Sequence, residues 1–293
     1  SSIYIYTCGV NVGAPLNGLV VWALGFNEET RAASSFRVYV LNLALADLVL
    51  ILRTPLMLGF LIHNSWPFGV TFCRIIMFLR VLGLYASAFL LCAVALERCL
   101  CLLRPVWARL RRPAWAVPLA CGLIWLTATI LSSPYLYFAV LQEKYGKHLC
   151  LESEGHNTTL FVIETLAGFM LPMLVFLGSN LAVLLTIRRM TRMYHVLFFT
   201  MLLFLTCWVP FFVCRFIQAL AKSESLYQSA HYGRYISLYL VYIKSALNPV
   251  LYVFAARGLG RAIKASLVST IDRLFNDDSS ESIRRKSLKN SQM

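Results

Sequence analysis

The chain has 293 residues, of which 59% are hydrophobic and 14% charged, whereas soluble domains carry roughly 25% charged residues. That balance excludes an ordinary water-soluble globule. A net charge of +14 would suggest nucleic acid in a soluble protein, but basic patches interleaved with aromatics are absent, so no nucleic-acid partner is expected.

A membrane-spanning helix needs about 20 apolar residues, and runs of that length lie near 3–25, 37–62, 71–101, 114–138, 158–187, 194–220 and 232–254. They predict an all-α membrane protein, a seven-transmembrane helix bundle. Breakers separate them at Asn64 to Pro67, Arg111 to Pro113, Tyr145 to Asn157 and Lys222 to Gly233. Residues 256–269 place Leu259, Ile263 and Leu267 opposite Arg257, Arg261 and Lys264, the pattern of a short amphipathic eighth helix lying on membrane lipid. Residues 1–269 thus read as one membrane domain. Residues 270–293, Ser-rich and charged, read as a disordered cytoplasmic tail whose serines are candidate phosphorylation sites. No signal peptide is visible, and a start at Ser1-Ser2 without Met suggests a segment of a longer protein.

Orientation follows from the basic residues. One set of connections holds Arg31, Arg37, Arg104, Arg109, Arg111, Arg112, Arg188, Arg189 and Arg192, and the other holds Lys144, Lys147, Lys222 and Arg234. The richer set belongs in the cytoplasm, which puts the N-terminus outside. Asn157-Thr158-Thr159 is then a glycosylation sequon on the outer side.

Charges inside spans are costly and default to function. They are Asp47, Arg53, Arg80, Glu164, Arg215 and Lys244, with Glu97-Arg98 at the inner end of the third span. Further landmarks are Asn17 in the first span, Leu43 to Asp47 in the second, Trp125 in the fourth and Pro172 in the fifth. Cys207-Trp208-Val209-Pro210 follows in the sixth, and Asn248-Pro249-Val250-Leu251-Tyr252 in the seventh. Taken in order across all seven spans, these motifs resemble those of the rhodopsin-like G-protein-coupled receptors.

That resemblance implies a plasma-membrane receptor with a heterotrimeric G protein as partner and arrestin as a second partner at the Ser-rich tail. It implies an outer disulfide between Cys73 and Cys150. It makes Arg98, held by Glu97 at rest, the cation released on activation. Phe204 and Trp208 would form the aromatic relay, and Pro210 the kink on which the sixth helix swings. Asp47, Ser87 and Asn248 resemble the family's sodium pocket, with Pro249 and Tyr252 completing the switch. Two positions depart from the family. Asn180 stands eight residues after Pro172, where a tyrosine is usual, and Lys244 lies one turn above Asn248. A lysine there can take the ion's place beside Asp47, or reach into the ligand cavity instead.

Arg80 is eighteen residues, five whole turns, before Arg98 and so faces the interior. Aminergic receptors carry an acid there, so a cation points to an extracellular anionic ligand. Arg53 and Arg215 lie in the same outer half, and three arginines can converge on a carboxylate or phosphate. Pairing of one of them with Glu164 is the internal alternative. Leu84, Tyr85, Phe169, Phe211, Phe212 and Tyr242 would complete an apolar cavity suited to an acyl chain or aromatic group. Within the family, residues 163–172, Trp66 to Gly69 and Arg104 to Trp107 look like the leukotriene chemoattractant receptors. This favours an acidic lipid mediator and an inhibitory-type G protein. The alternatives are a chemoattractant or chemokine-type peptide receptor, an orphan or constitutively active receptor and, more remotely, a retinal protein or transporter. No metal cluster, phosphate loop or serine elbow appears, so neither cofactor nor enzymatic activity is expected.

Overall fold

The computed structural model describes residues 2–25, 35–110, 112–144, 146–153, 157–186 and 192–255. The apolar runs form helices, because in hydrocarbon each backbone amide must find its partner within its own segment. The first run is α1 (Ser2–Gly25), and the second is α2 (Ser35–Ile51) with α3 (Thr54–His63). The third is α4 (Gly69–Leu103), followed by the short α5 (Pro105–Leu110). The fourth is α6 (Ala116–Ser132) with α7 (Pro134–Phe138), and the fifth is α8 (Asn157–Thr165), a π-helical turn (Leu166–Met170) and α9 (Leu171–Thr186). The sixth and seventh are α10 (Arg192–Leu220) and α11 (Glu224–Ala255).

Among the described residues, five helical stretches are long and apolar enough to cross a membrane: Arg37–His63, Gly69–Cys101, Ala116–Phe138, Thr158–Val183 and Leu202–Leu220. Val10–Gly25 is a shorter apolar helix, and α11 is diluted by Glu224, Arg234, Lys244 and its hydroxyl side chains. The most apolar stretch of α4 is 72% buried against 22% for α6, so α4 is the axis of the bundle and α6 lies at its edge. α4 packs on α2, α6, α9 and α10, while α11 closes the ring against α10, α1 and α2. Leu119, Leu123, Leu126 and Ile130 form an exposed apolar stripe on α6, as a lipid-facing helix at the edge of a bundle requires.

Two local breaks place functional side chains. Pro55 has no N–H, so the carbonyl of Ile51 loses its helical partner and the second span restarts at Thr54. The break leaves Leu52 64% exposed and buries its neighbour Arg53 to 3%. In the fifth span, the N–H of Leu171 reaches back to the carbonyl of Leu166, one residue further than in an α-helix, just ahead of Pro172. This bulge turns Gly168 and Phe169 inward. A Cβ on Gly168 would lie 3.2 Å from both Leu84 and Tyr85 of α4.

The structure corrects two expectations about the connections. The stretch read as a breaker at Lys222 to Gly233 is mostly helix, because Ser223 Oγ accepts the Leu226 N–H and caps α11 eight residues before the expected start. Gly233 is there for clearance, since a Cβ would come 2.7 Å from Cys214 Sγ of α10. The connection between the fourth and fifth spans is a β-hairpin, the one departure from helix among the described residues. β1 (Ala139–Lys144) pairs antiparallel with β2 (Lys147–Glu152), with Leu141 opposite Cys150 and Gly146 at a φ of +69° in the turn. The Cys73–Cys150 disulfide fastens β2 to α4, as the resemblance implied, with 5.5 Å between the Cα atoms. Trp66 adds a second tie, its backbone N–H meeting the His148 carbonyl at 2.8 Å and its indole meeting the Gly69 carbonyl at 2.8 Å. The expected amphipathic helix 256–269, the tail 270–293 and the side chains of Asn157 and Tyr252 lie outside the described residues.

Candidate functional site

A buried ionic network lies at the disulfide end of the bundle. Glu164, fully buried on α8, accepts from both terminal nitrogens of Arg80 at 2.6 and 3.2 Å, from Arg215 Nη1 at 2.6 Å and from the Tyr135 hydroxyl at 2.6 Å. Arg215 Nη2 donates to Glu152 at 2.8 Å, and Arg80 Nη2 lies 3.7 Å from the same carboxylate. The third, fourth, fifth and sixth spans and the hairpin therefore meet on two carboxylates. Arg80 and Arg215 converge as expected, and so does the internal pairing with Glu164. Arg53 does not join them. Its guanidinium sits over the Tyr242 ring, 5.9 Å from the centroid.

Beside the network lies a cavity of about 60 Å³ lined by Arg53, Arg80, Arg234 and Glu152, with Met57, Phe60, Trp66, Ile76, Phe211 and Leu238 as its apolar wall. A second cavity of about 260 Å³ shares Met77, Glu152 and Arg234 with it and adds Arg215, Phe161 and Gln218. Both lie next to a vestibule of about 900 Å³ edged by Phe60, Lys147, Glu224, Tyr227, His231 and Tyr239. Four guanidiniums face two carboxylates here, which leaves a positive surplus in a low-dielectric site. Leu84, Tyr85, Phe169 and Phe212 are buried deeper, beneath this cavity.

Sequence reasoning missed Glu152, Arg234 and Tyr135. Glu152 and Arg234 had been assigned to connections, and Tyr135 lies beyond the Pro134 break. The signals were present. Glu152 is two strand positions from Cys150 and so shares its face, and Arg234 precedes Val241 by seven residues and Asn248 by fourteen, on one helical face.

An aromatic column descends from the network. Arg80 lies 5.4 Å from the Phe211 ring, Phe211 meets Trp208 edge-on at 5.5 Å, Phe212 stacks on Phe169 at 5.0 Å, and Trp208 lies 6.3 Å from Phe204. At the far end, the Lys244 ammonium sits 5.2 Å from the Phe204 ring centroid. Among the described residues it makes no ion pair with Asp47 within 4.0 Å, although the two charges are close enough to act on each other. Asp47 accepts from Asn248 Nδ2 at 2.8 Å, and Asn17 Nδ2 ties the first span to the Ser245 carbonyl at 2.9 Å. Ser87 is buried but makes no hydrogen bond through its hydroxyl among the described residues.

At the opposite end, Glu97 accepts from Arg112 Nη1 at 2.8 Å, a partner from the next connection that the resemblance had not included. Asn180 donates to the Phe176 carbonyl one turn below it at 2.8 Å, within its own helix. Trp125 reaches across to Asn42 Oδ1 at 2.9 Å, pinning the fourth span to the second.

These features can be set beside known proteins. The leukotriene B4 receptor 1 of Homo sapiens is 31% identical over 98% of this chain and 86% of its own length. The C5a anaphylatoxin chemotactic receptor 1 of Rattus norvegicus is 30% identical over 95% and 82%. The leukotriene B4 receptor 2 of the same species is 34% identical over 85% and 74%. The family model described as 7 transmembrane receptor (rhodopsin family) matches residues 16–252. A central, disulfide-anchored third helix, a second helix broken ahead of Pro55, prolines inside the sixth and seventh helices and this match lead to one conclusion: the chain belongs to the rhodopsin family of seven-transmembrane receptors.

Proposed function

We propose that this rhodopsin-family receptor binds an extracellular anionic ligand, an acidic lipid mediator, and signals through an inhibitory-type heterotrimeric G protein. The observation that carries the reading is the surplus of guanidiniums over carboxylates around an apolar cavity. A carboxylate headgroup is drawn to that positive charge, and an acyl chain suits the apolar wall of Met57, Phe60, Ile76 and Leu238. The names of the leukotriene B4 relatives favour the same chemistry. The richer set of basic connections at the Arg98 end supports a cytoplasmic position for that end and an outer position for the disulfide end at the plasma membrane. There Arg98, Arg104 and Arg112 face the G protein, with arrestin at the tail and glycosylation at Asn157 as further expectations.

A peptide ligand is the second reading. The vestibule of about 900 Å³, with Glu224, Gln228 and His231 on its edge, is roomy enough for a chain terminus, and one relative is named for the C5a anaphylatoxin.

The test is inhibition of stimulated cyclic AMP in cells by a panel of hydroxylated long-chain fatty acids and their methyl esters, with and without pertussis toxin. Acids should act, esters should not, and the toxin should abolish the response. Arg234→Gln should lower acid potency about tenfold at matched surface expression, the loss of one charge-assisted contact. Equal potency of acids and esters would refute the anionic-headgroup reading.

A further inference from the structure

Glu152 occupies a place that its sequence position did not announce. It follows Cys150 by two residues on β2, so both side chains leave the strand on one face about 7 Å apart. Arg80 follows Cys73 by seven residues on α4, two turns or about 10 Å deeper on the same face. The disulfide between Cys73 and Cys150 therefore sets the hairpin at the depth where the Glu152 carboxylate meets the buried guanidiniums. It lies 2.8 Å from Arg215 and 3.7 Å from Arg80, with only 7% of its side chain exposed. It also forms a shared wall of the two cavities, together with Met77 and Arg234. Arg234 makes no ion pair within 4.0 Å among the described residues, although it lines both cavities.

We propose that Arg80, Arg215 and Arg234 form a subsite for a single carboxylate, which the receptor fills with its own Glu152 until a ligand's acid displaces it. The inference deepens the anionic-ligand reading and rests on it for the identity of the incoming group. Glu164 cannot be the displaced group, because it is fully buried and holds Arg80, Arg215 and Tyr135 at once. Glu152 instead has one close partner and stands on a surface hairpin. Glu152 lines both the cavity of about 60 Å³ and that of about 260 Å³, so withdrawing it removes a wall that they share and frees space for a headgroup. An exchange of one carboxylate for another leaves the charge of the site unchanged, so the buried guanidiniums are never stranded. Every ligand acid must outcompete a tethered rival at high effective concentration, which weakens apparent affinity and makes the hairpin report the exchange.

The experiment uses the purified full-length receptor in detergent, with hexanoate as the probe at constant ionic strength. Glu152→Ala should melt at a lower temperature than wild type and regain several degrees in millimolar hexanoate, while hexanamide does nothing and wild type changes little. Glu152→Gln, which keeps the shape of the side chain, guards against a folding defect in the alanine variant and should respond in the same direction. Adding Arg215→Gln to either variant should abolish the rescue. In cells, Glu152→Gln should shift the response to an active fatty acid about tenfold to lower concentration and leave its methyl ester unaffected. No hexanoate-specific rescue in either variant, or a loss of acid potency in Glu152→Gln, would overturn the proposal. Rescue by hexanoate in a receptor that no fatty acid activates would uphold the subsite and remove the lipid-mediator reading instead.

Discussion

Glu164 shows how a single buried side chain organises this receptor. A carboxylate with no exposure is tolerable only when its oxygens are saturated, and here two guanidiniums and a phenol saturate them. Glu164→Gln removes the countercharge and leaves Arg80 and Arg215 with Glu152 alone, so it should cost about 3–5 kcal/mol. Tyr135→Phe loses one hydrogen bond to a charged group and should cost about 1.5–3 kcal/mol. Thermal unfolding in detergent, with surface expression alongside, ranks the two, and a Glu164→Gln receptor as stable as wild type would show that the guanidiniums are held elsewhere. At this scale the sequence was informative wherever a charge interrupted an apolar run. Arg80, Arg215, Arg53 and Glu164 were found by that rule alone, because no other residue type is so costly in a span. Glu152 escaped it because it ends a strand, and Arg234 because it was counted with the outer connection, where a charge is ordinary until the fold turns it inward. Lys244 was found, but its direction was not. The choice between a carboxylate and a ring face depends on side-chain reach that helical spacing cannot resolve.

Elements were legible where period and length agree and less so where a single backbone group decides. The second span reads as one run from 37 to 62, yet it is two helices because Pro55 cannot donate to Ile51. Pro55→Ala should restore that hydrogen bond, straighten the span and turn Arg53 away from the cavity it now lines. Surface expression should be unchanged or higher while acid potency falls several-fold, because the cavity wall loses a cation that attracts the acid without touching it. Unchanged potency in a well-expressed Pro55→Ala receptor would mean that Arg53 keeps its position without the break. The hairpin was hidden by its composition. Glu143, Lys144, Lys147 and His148 look like a solvated connection, and only Gly146 at a positive φ betrays the turn. The early start of α11 had a visible sign in Ser223, whose capping role was masked by the polar residues that follow it.

For the whole molecule, the sequence conveyed the architecture because seven motifs occur in register, one on each span, and each sits where it must pack or switch. It could not convey how the hairpin folds back over the bundle, since that depends on where β2 lies once it is tied to α4. The tie itself can be tested. Cys73→Ser with Cys150→Ser should destabilise the receptor by about 2–5 kcal/mol. It should also free β2, so limited proteolysis in the hairpin and loss of surface expression are expected together. An uncleaved, well-expressed double mutant would mean that Trp66 and the ionic network suffice to hold the hairpin. The aromatic column has a consequence for the receptor's thermodynamics. Phe211, Trp208 and Phe204 form a continuous packed series with the Arg80 guanidinium at one end and the Lys244 ammonium, near Asp47, at the other. Close-packed rings cannot shift singly, so a ligand at Arg80 that moves Phe211 would be coupled to whatever binds at Asp47. Linkage is reciprocal: whatever factor such a ligand imposes on protonation or cation binding at Asp47, a proton or cation at Asp47 would impose on the ligand's affinity. The ionic composition of the surrounding fluid would then be a second input to the receptor, read out through the binding of the first.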